Sequence, residues 1–427
     1  MKICIALHQC MDLGGIINHT EQLMRGLFDL GHTVHLREMV WKEQAPTQKK
    51  SGCHELSQQG IKFSQGSGWN FPDWMRLPYK GNKLASAIRE LVSYDIVIWT
   101  IPVPPKNKDN IGNNDWINLL DLPNTKQVVF SHDGNASRNY PHILGISKMV
   151  DGLACVHHCA YNTCSFVDIP RALILNPQER PVREVSAWED RNKGFVSAQT
   201  FKAWKRAHEL IGAIRYMPKR EENETRSVFG KGIEYQYLTS EDKCKDAYFH
   251  EDGVRFWDAA IDNEMTHGDY VPYKELSFFM DTTLTLVDPS WSKRYSEAGG
   301  HYNRVVIEAM INGAVPIARQ MGMGGELFTA GVNYVDIPKD CSLKEYAEVV
   351  HEAGYMNSKK WKGFRDENLK ILPNFERRII ANQVIDLAMG NLDTVIGEPT
   401  RVHVEKSHDI LWEHYGILGE ENESNQS

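Results

Sequence analysis

HYNRVVIEAMINGAVPIARQMGMGGELF, residues 301–328, is the stretch from which the fold is read. An apolar run carries a lone carboxylate, Glu308, at the expected start of a helix. A short apolar segment expected to be a strand follows, and then a glycine-rich loop that includes Gly324. Helix, buried strand and glycine loop in this order suit a nucleotide carrying a sugar. Its ribose hydroxyls need a charged acceptor, and its diphosphate needs backbone N–H groups at helix starts.

The same alternation runs outward along the chain, with short β-branched or apolar runs separated by amphipathic segments, as in βαβ units on a parallel sheet. The first series of expected strands is 2–7, 33–39, 95–101, 127–131, 152–156 and 171–175, and the second is 194–197, 226–229, 233–237, 284–287, 314–317 and 333–337. Between the series, NPQERPVREVSAWED at 176–190 has the prolines and charges of a linker. The expectation is α/β, with two tandem Rossmann-like doubly wound domains, 1–178 and 179–400, facing a central cleft. A helix at 402–420 is expected to pack back on the first, ahead of a polar tail at 421–427. Ligands are expected at the carboxyl ends of the strands.

Composition narrows the function classes. A length of 427 residues with 41% hydrophobic content suits two globular domains. No apolar run reaches the roughly 18 residues that cross a bilayer, so a soluble intracellular protein with no membrane partner is expected. Eight scattered cysteines do not form a disulfide framework. A net charge of −8 disfavours a protein that coats nucleic acid nonspecifically, although a local basic groove is compatible with it.

Gly14 and Gly15 lie between the first strand and a helical pattern, where φ > 0 lets a diphosphate approach the backbone. They do not make G-x-G-x-x-G, and no acidic residue sits after the second strand in the usual ribose-binding manner, which argues against a dinucleotide-dependent dehydrogenase. CVHHCAYNTC at 155–164 has metal-like density in Cys155, His157, His158, Cys159 and Cys164, but its spacing fits no standard zinc framework, so buried thiols with a cleft-facing histidine are expected and no metal site is assigned. Residues 41–82 look like a long irregular stretch. Within it Lys49, Lys50, Trp69, Phe71, Trp74 and Arg76 interleave aromatic and basic side chains, as suits an extruded base, a sugar acceptor or an insertion with its own small core. The runs at 359–362 and Arg377-Arg378 suit a duplex-binding cleft or solvated helix faces.

The order LGG near the N-terminus, LGH before the second strand, SHD after a central strand, and DPS followed by YNRVVIEAMINGAVPIA resembles the retaining GT-B glycosyltransferases. More narrowly, KICIAL, VVFSHD and KGIEYQY look like the α-glucosyltransferases that T-even-type bacteriophages use on hydroxymethylcytosine in DNA. The resemblance implies a nucleotide-sugar co-substrate, with UDP-sugar expected, and no further cofactor. It also implies a double-stranded DNA acceptor containing hydroxymethylated pyrimidine, a monomer, and the cytoplasm of an infected bacterial host. A glycan or small-molecule acceptor is the alternative, and a sugar-nucleotide-binding protein without catalysis is the second alternative.

Residue by residue, Gly14 and Gly15 match the loop facing the donor diphosphate, and His132 and Asp133 match the pair beside the acceptor and the anomeric carbon. Lys205 matches the residue that neutralises the leaving diphosphate, with Lys202 as its partner because Thr200 stands where an arginine is expected. Glu308 matches the ribose carboxylate, and Asn303 and Arg304 beside it join the donor set. Gly300 occupies the place of a second family Glu, which leaves sugar contacts to His301, Tyr302 or Asn303. The proton of the acceptor hydroxyl then goes to Asp133, to His132 or to the leaving phosphate itself.

Overall fold

The computed structural model describes residues 1–8, 15–40, 74–78, 81–100, 121–132, 149–164, 170–180, 182–198, 205–230, 265–268, 271, 273–290, 302–319 and 327–392. Among these, one compact unit takes the residues up to 179 and those from 374 onward, and a second takes 180–373.

In the first unit, β1 (Lys2–His8), α1 (Gly15–Asp29) and β2 (Thr33–Val40) are followed by β3 (Trp74–Pro78), α2 (Leu84–Leu91) and β4 (Ile96–Trp99). Then come β5 (Lys126–Ser131), β6 (Gly152–Cys155), α3 (His158–Thr163) and β7 (Arg171–Leu173). The sheet order is β3-β2-β1-β4-β5-β6-β7, and every pairing is parallel. A parallel sheet covered on both faces needs strands that are apolar throughout, and Ile96–Trp99 and Gly152–Cys155 are buried at every position. The order in which successive strands are added reverses between β1 and β4, which sets the switch point at their carboxyl ends.

β3 falls in the stretch expected to be irregular. WMRLP has no clean alternation, and it pairs only with β2 at the sheet edge, where a terminal Pro78 costs no ladder hydrogen bond. Trp74 and Arg76 therefore lie opposite Leu36 and Glu38 in an extended ladder rather than in an irregular insertion.

The second unit contains β8 (Asn192–Ala198), α4 (Ala207–Ile214), β9 (Glu224–Phe229), β10 (Thr266–Gly268), α5 (Tyr273–Thr282) and β11 (Thr283–Asp288). It continues with α6 (Arg304–Ile311), β12 (Val315–Ala318), β13 (Val335–Asp336), α7 (Leu343–Gly354) and α8 (Ser358–Ile371). Its order, β10-β9-β8-β11-β12-β13, is again parallel, with the switch point between β8 and β11. β10 has only Thr-His-Gly to mark it, too short and polar to register as a pattern. The expected strand at 233–237 and the expected helix at 402–420 lie outside the described residues.

The last described helix, α9 (Arg377–Met389), packs in the first unit on α1, β5 and β6, so the second unit closes near 373 rather than 400. Two glycines admit it. A Cβ at Gly26 would stand 2.3 Å from the Arg377 carbonyl oxygen, and one at Gly152 would stand 2.5 Å from Leu387 Cγ. Arg377 bonds Asp29 through Nε and Nη2, each at 2.7 Å, and so secures this contact. In the run at 359–362, Trp361 is core, its indole N–H donating to the Gly313 carbonyl at 2.9 Å, while Lys359, Lys360 and Lys362 are exposed.

Candidate functional site

The chemistry-bearing side chains of the second unit collect at the carboxyl ends of β8, β11 and β12, on both sides of its switch point. Asp288 ends β11, and its Oδ2 accepts the Asn303 side-chain amide at 2.6 Å. Asn303 is the N-cap of α6, and its Oδ1 accepts a hydrogen bond from the Lys205 ammonium. A lysine that follows β8 is thus held against the start of a helix that follows β11. Its positive charge adds to the N-terminal half-charge of α6, which is the combination that attracts a phosphate.

Glu308 lies in the second turn of α6, not at its start; the first turn of this helix has no acidic residue. It is 6% exposed, and its Oε1 accepts from Arg304 Nε at 3.0 Å, one turn back on the same helix. Burial raises its pKa above the ordinary glutamate range, and the Arg304 guanidinium opposes that rise. A buried carboxylate that costs stability and keeps a cation close is poised to accept hydroxyl donors. Arg304 is engaged with Glu308, and Lys205 with Asn303. Tyr302 packs edge-on against Phe328 with ring centroids 5.7 Å apart, which makes it a core residue.

Two cations and a carboxylate gather at the start of α4 and just after β12. Arg206 follows Lys205 and is the N-cap of α4, and Glu209 sits in the first turn of that helix. Arg319 follows β12, and its Nη1 lies 2.5 Å from Glu209 Oε2. Sequence reading missed Glu209, Arg206 and Arg319. Only the two adjacent basic residues in WKRAHE hinted at them, because Arg319 lies more than a hundred positions away.

In the first unit, His132 follows β5 and is half-buried. Its ring stacks on Phe130 at 5.7 Å and meets the His19 ring edge-on at 4.6 Å. His19, wholly buried on α1, donates from Nδ1 to Asn176 Oδ1 at 2.9 Å just after β7. α1, β5 and the segment after β7 thereby fix one imidazole against another. Neither His19 nor Asn176 stood out in the sequence, since a histidine on an apolar helix face reads as core.

His157 completes the arrangement. As N-cap of α3, its Nδ1 accepts the Ala160 N–H at 3.0 Å, and its Nε2 donates to the His132 carbonyl oxygen at 3.3 Å. Burial lowers its pKa to about 4, partly offset by the bond to that carbonyl, so it stays neutral at pH 7. Cys155, Cys159 and Cys164 are buried beside it as free thiols, and burial pushes the Cys155 thiol up. Among the described residues no three or more His, Cys, Asp or Glu side chains are grouped to hold a metal ion.

The structure therefore brings together Lys205, Asn303, Arg304 and Glu308 in the second unit; His132 belongs to the first unit and is described there by itself. Gly15 starts α1. Gly14, Asp133, Lys202, Gly324, Lys49, Lys50, Trp69 and Phe71 lie outside the described residues, as do the side chains of Trp74 and Arg76. Among the described residues no helix is long and apolar enough to cross a membrane.

Two parallel-sheet α/β units with these topologies define the GT-B fold. HepE from Anabaena, solved with UDP-glucose, aligns with a TM-score of 0.64 at 13% identity, covering 91% of this chain and 100% of that one. A glycosyltransferase from Rickettsia africae aligns at 0.60 with 11% identity, covering 92% and 99%. An alpha-glucosyltransferase in complex with UDP-glucose and DNA containing an abasic site aligns at 0.63 with 12% identity, covering 91% and 99%. No family model matches the sequence, and no curated protein matches it.

Proposed function

We propose that this chain is a retaining glycosyltransferase that moves a sugar from a UDP-sugar to the hydroxymethyl group of a modified pyrimidine in DNA. The observation that carries the transferase reading is the Lys205–Asn303–Asp288 chain at the start of α6, with buried Glu308 one turn further on, within a GT-B fold. Lys205 and the α6 N–H groups take the diphosphate, and Glu308 accepts the ribose hydroxyls.

In the reaction, the bond from the anomeric carbon to the β-phosphate oxygen breaks and the acceptor oxygen bonds to that carbon on the same face. The hydroxyl proton passes to the His132-Asp133 pair or to the departing phosphate. Charge growing on the diphosphate is met by Lys205 and the helix dipole, which lowers the barrier without calling on a metal. The first unit, which carries His132, takes the acceptor.

The DNA acceptor is supported by the likeness of KICIAL and VVFSHD to phage enzymes and by the DNA-bound alpha-glucosyltransferase among structures of the same fold. Incubation with hydroxymethylated duplex and a panel of nucleotide sugars should raise the nucleoside mass by one sugar. Transfer to a glycan with no nucleoside shift for any donor would move the acceptor to glycans. No transfer and no donor hydrolysis under any condition would leave a binding protein and sink the transferase reading.

A further inference from the structure

Asn303 stands at the N-cap of α6 with the extended backbone of that position, φ −83° and ψ 142°. An asparagine there ordinarily turns its side-chain oxygen back onto an N–H of the first turn, which stabilises the helix. The Asn303 side chain makes no such cap bond. Its amide is turned elsewhere: Oδ1 accepts from the Lys205 ammonium, and Nδ2 donates to Asp288 Oδ2 at 2.6 Å. A good capping residue has given up its cap to bridge a lysine that follows β8 and a carboxylate at the end of β11.

Asp288 decides the direction of that bridge. A side-chain amide has a donor end and an acceptor end of nearly equal shape, and only its partners choose between the two orientations. Asp288 is 5% exposed, and both of its oxygens accept. Oδ1 takes the Ser290 N–H at 3.2 Å, closing a turn at the end of the strand, and Oδ2 takes the Asn303 NH2 group. A carboxylate offers no donor, so the NH2 group must face it and the amide oxygen must face Lys205. With the amide reversed, N–H donors would point at an ammonium. A neutral amide at position 288 cannot serve both partners. Its single oxygen either stays on the Ser290 N–H, turning an NH2 group toward Asn303, or leaves that N–H facing a donor.

We propose that Asp288 is a positioning residue of the donor site, acting through Asn303 to hold the Lys205 ammonium in place for the donor diphosphate. This rests on the UDP-sugar reading above. The test is calorimetric titration of the full chain with UDP and with inorganic pyrophosphate, alongside thermal unfolding. Asp288→Asn should weaken UDP binding about tenfold, because Asn303 then reverses and no longer receives the lysine. Its thermal midpoint should stay near that of the unchanged protein, since the two amides remain bonded in the reversed direction. Asn303→Asp sets a second carboxylate against Asp288 and should also weaken UDP binding. Combining the two substitutions exchanges amide and carboxylate, so that residue 288 donates to residue 303 and an oxygen again faces Lys205. The combined variant should recover most of the lost affinity.

UDP binding by Asp288→Asn at unchanged strength would overturn the proposal, as would a combined variant that binds no better than the weaker single one. A thermal midpoint that falls in step with affinity across the three variants would reduce the network to a staple between β11 and α6, and would overturn it too. If the unchanged protein binds pyrophosphate but not UDP, and Asp288→Asn weakens the pyrophosphate, the positioning role stands and the nucleotide reading falls. Binding of neither by the unchanged protein removes both.

Discussion

Acidification is expected to destabilise the first unit through His157. Both of its ring nitrogens are committed in the neutral form, Nδ1 as acceptor for the Ala160 N–H at 3.0 Å and Nε2 as donor to the His132 carbonyl at 3.3 Å. A proton on Nδ1 would turn the helix cap into a donor facing another donor. The unfolded chain takes up this proton near pH 6.5, whereas burial delays it in the folded state to about 4. Between those values the unfolded state binds more protons, so the contribution is whole above pH 6.5 and is lost as the pH falls toward 4. A separation of that size, at 1.36 kcal/mol per unit, amounts to about 3 kcal/mol.

His157→Asn keeps a capping oxygen for the Ala160 N–H and does not titrate. It gives up the bond to the His132 carbonyl, at about 1 kcal/mol near neutral pH. Urea unfolding followed by tryptophan fluorescence at steps from pH 7 to 4.5 should show the unchanged protein ahead at pH 7 by about that amount. The order should reverse by pH 4.5, with the asparagine variant ahead by about 1–2 kcal/mol. The comparison cancels the other histidines. The same acid slope in both proteins would refute the reasoning.

Gly26→Ala sets a Cβ 2.3 Å from the Arg377 carbonyl oxygen, so α9 must shift; a loss of about 1–3 kcal/mol is expected, and an unchanged thermal midpoint would contradict it. Lys205→Met should lower donor turnover by about 10²–10³-fold while the thermal midpoint barely moves, measured as UDP release. Because burial raises the Glu308 pKa, UDP affinity of the unchanged protein should begin to fall at a pH above the ordinary glutamate range. Glu308→Gln should bind more weakly at every pH and lose that dependence, which titrations from pH 5 to 7.5 would reveal.

Most strands of the two sheets were legible because a parallel sheet buried on both faces demands continuous apolar runs, and KICIAL, QVVFS and LTLV are such runs. Lys205 and Asn303 were legible through the family resemblance, and Glu308 also as a lone carboxylate in an apolar run; the structure places Lys205 after β8, Asn303 at the N-cap of α6 and Glu308 one turn into that helix. β3 and β10 were not legible, since an edge strand and a three-residue strand need little apolar character.

The sequence by itself determined two units of alternating strands and helices and the local order of strand, loop and cationic or acidic residue in the second of them. Tertiary structure alone decided which distant residues meet. Arg319 reaches Glu209, and His19 meets both His132 and Asn176, through sheet pairings that periodicity does not specify. It also decided that α9 rests on the first sheet. An amphipathic helix carries no address in its apolar stripe, and close approach is settled by the space that Gly26 and Gly152 leave on one surface.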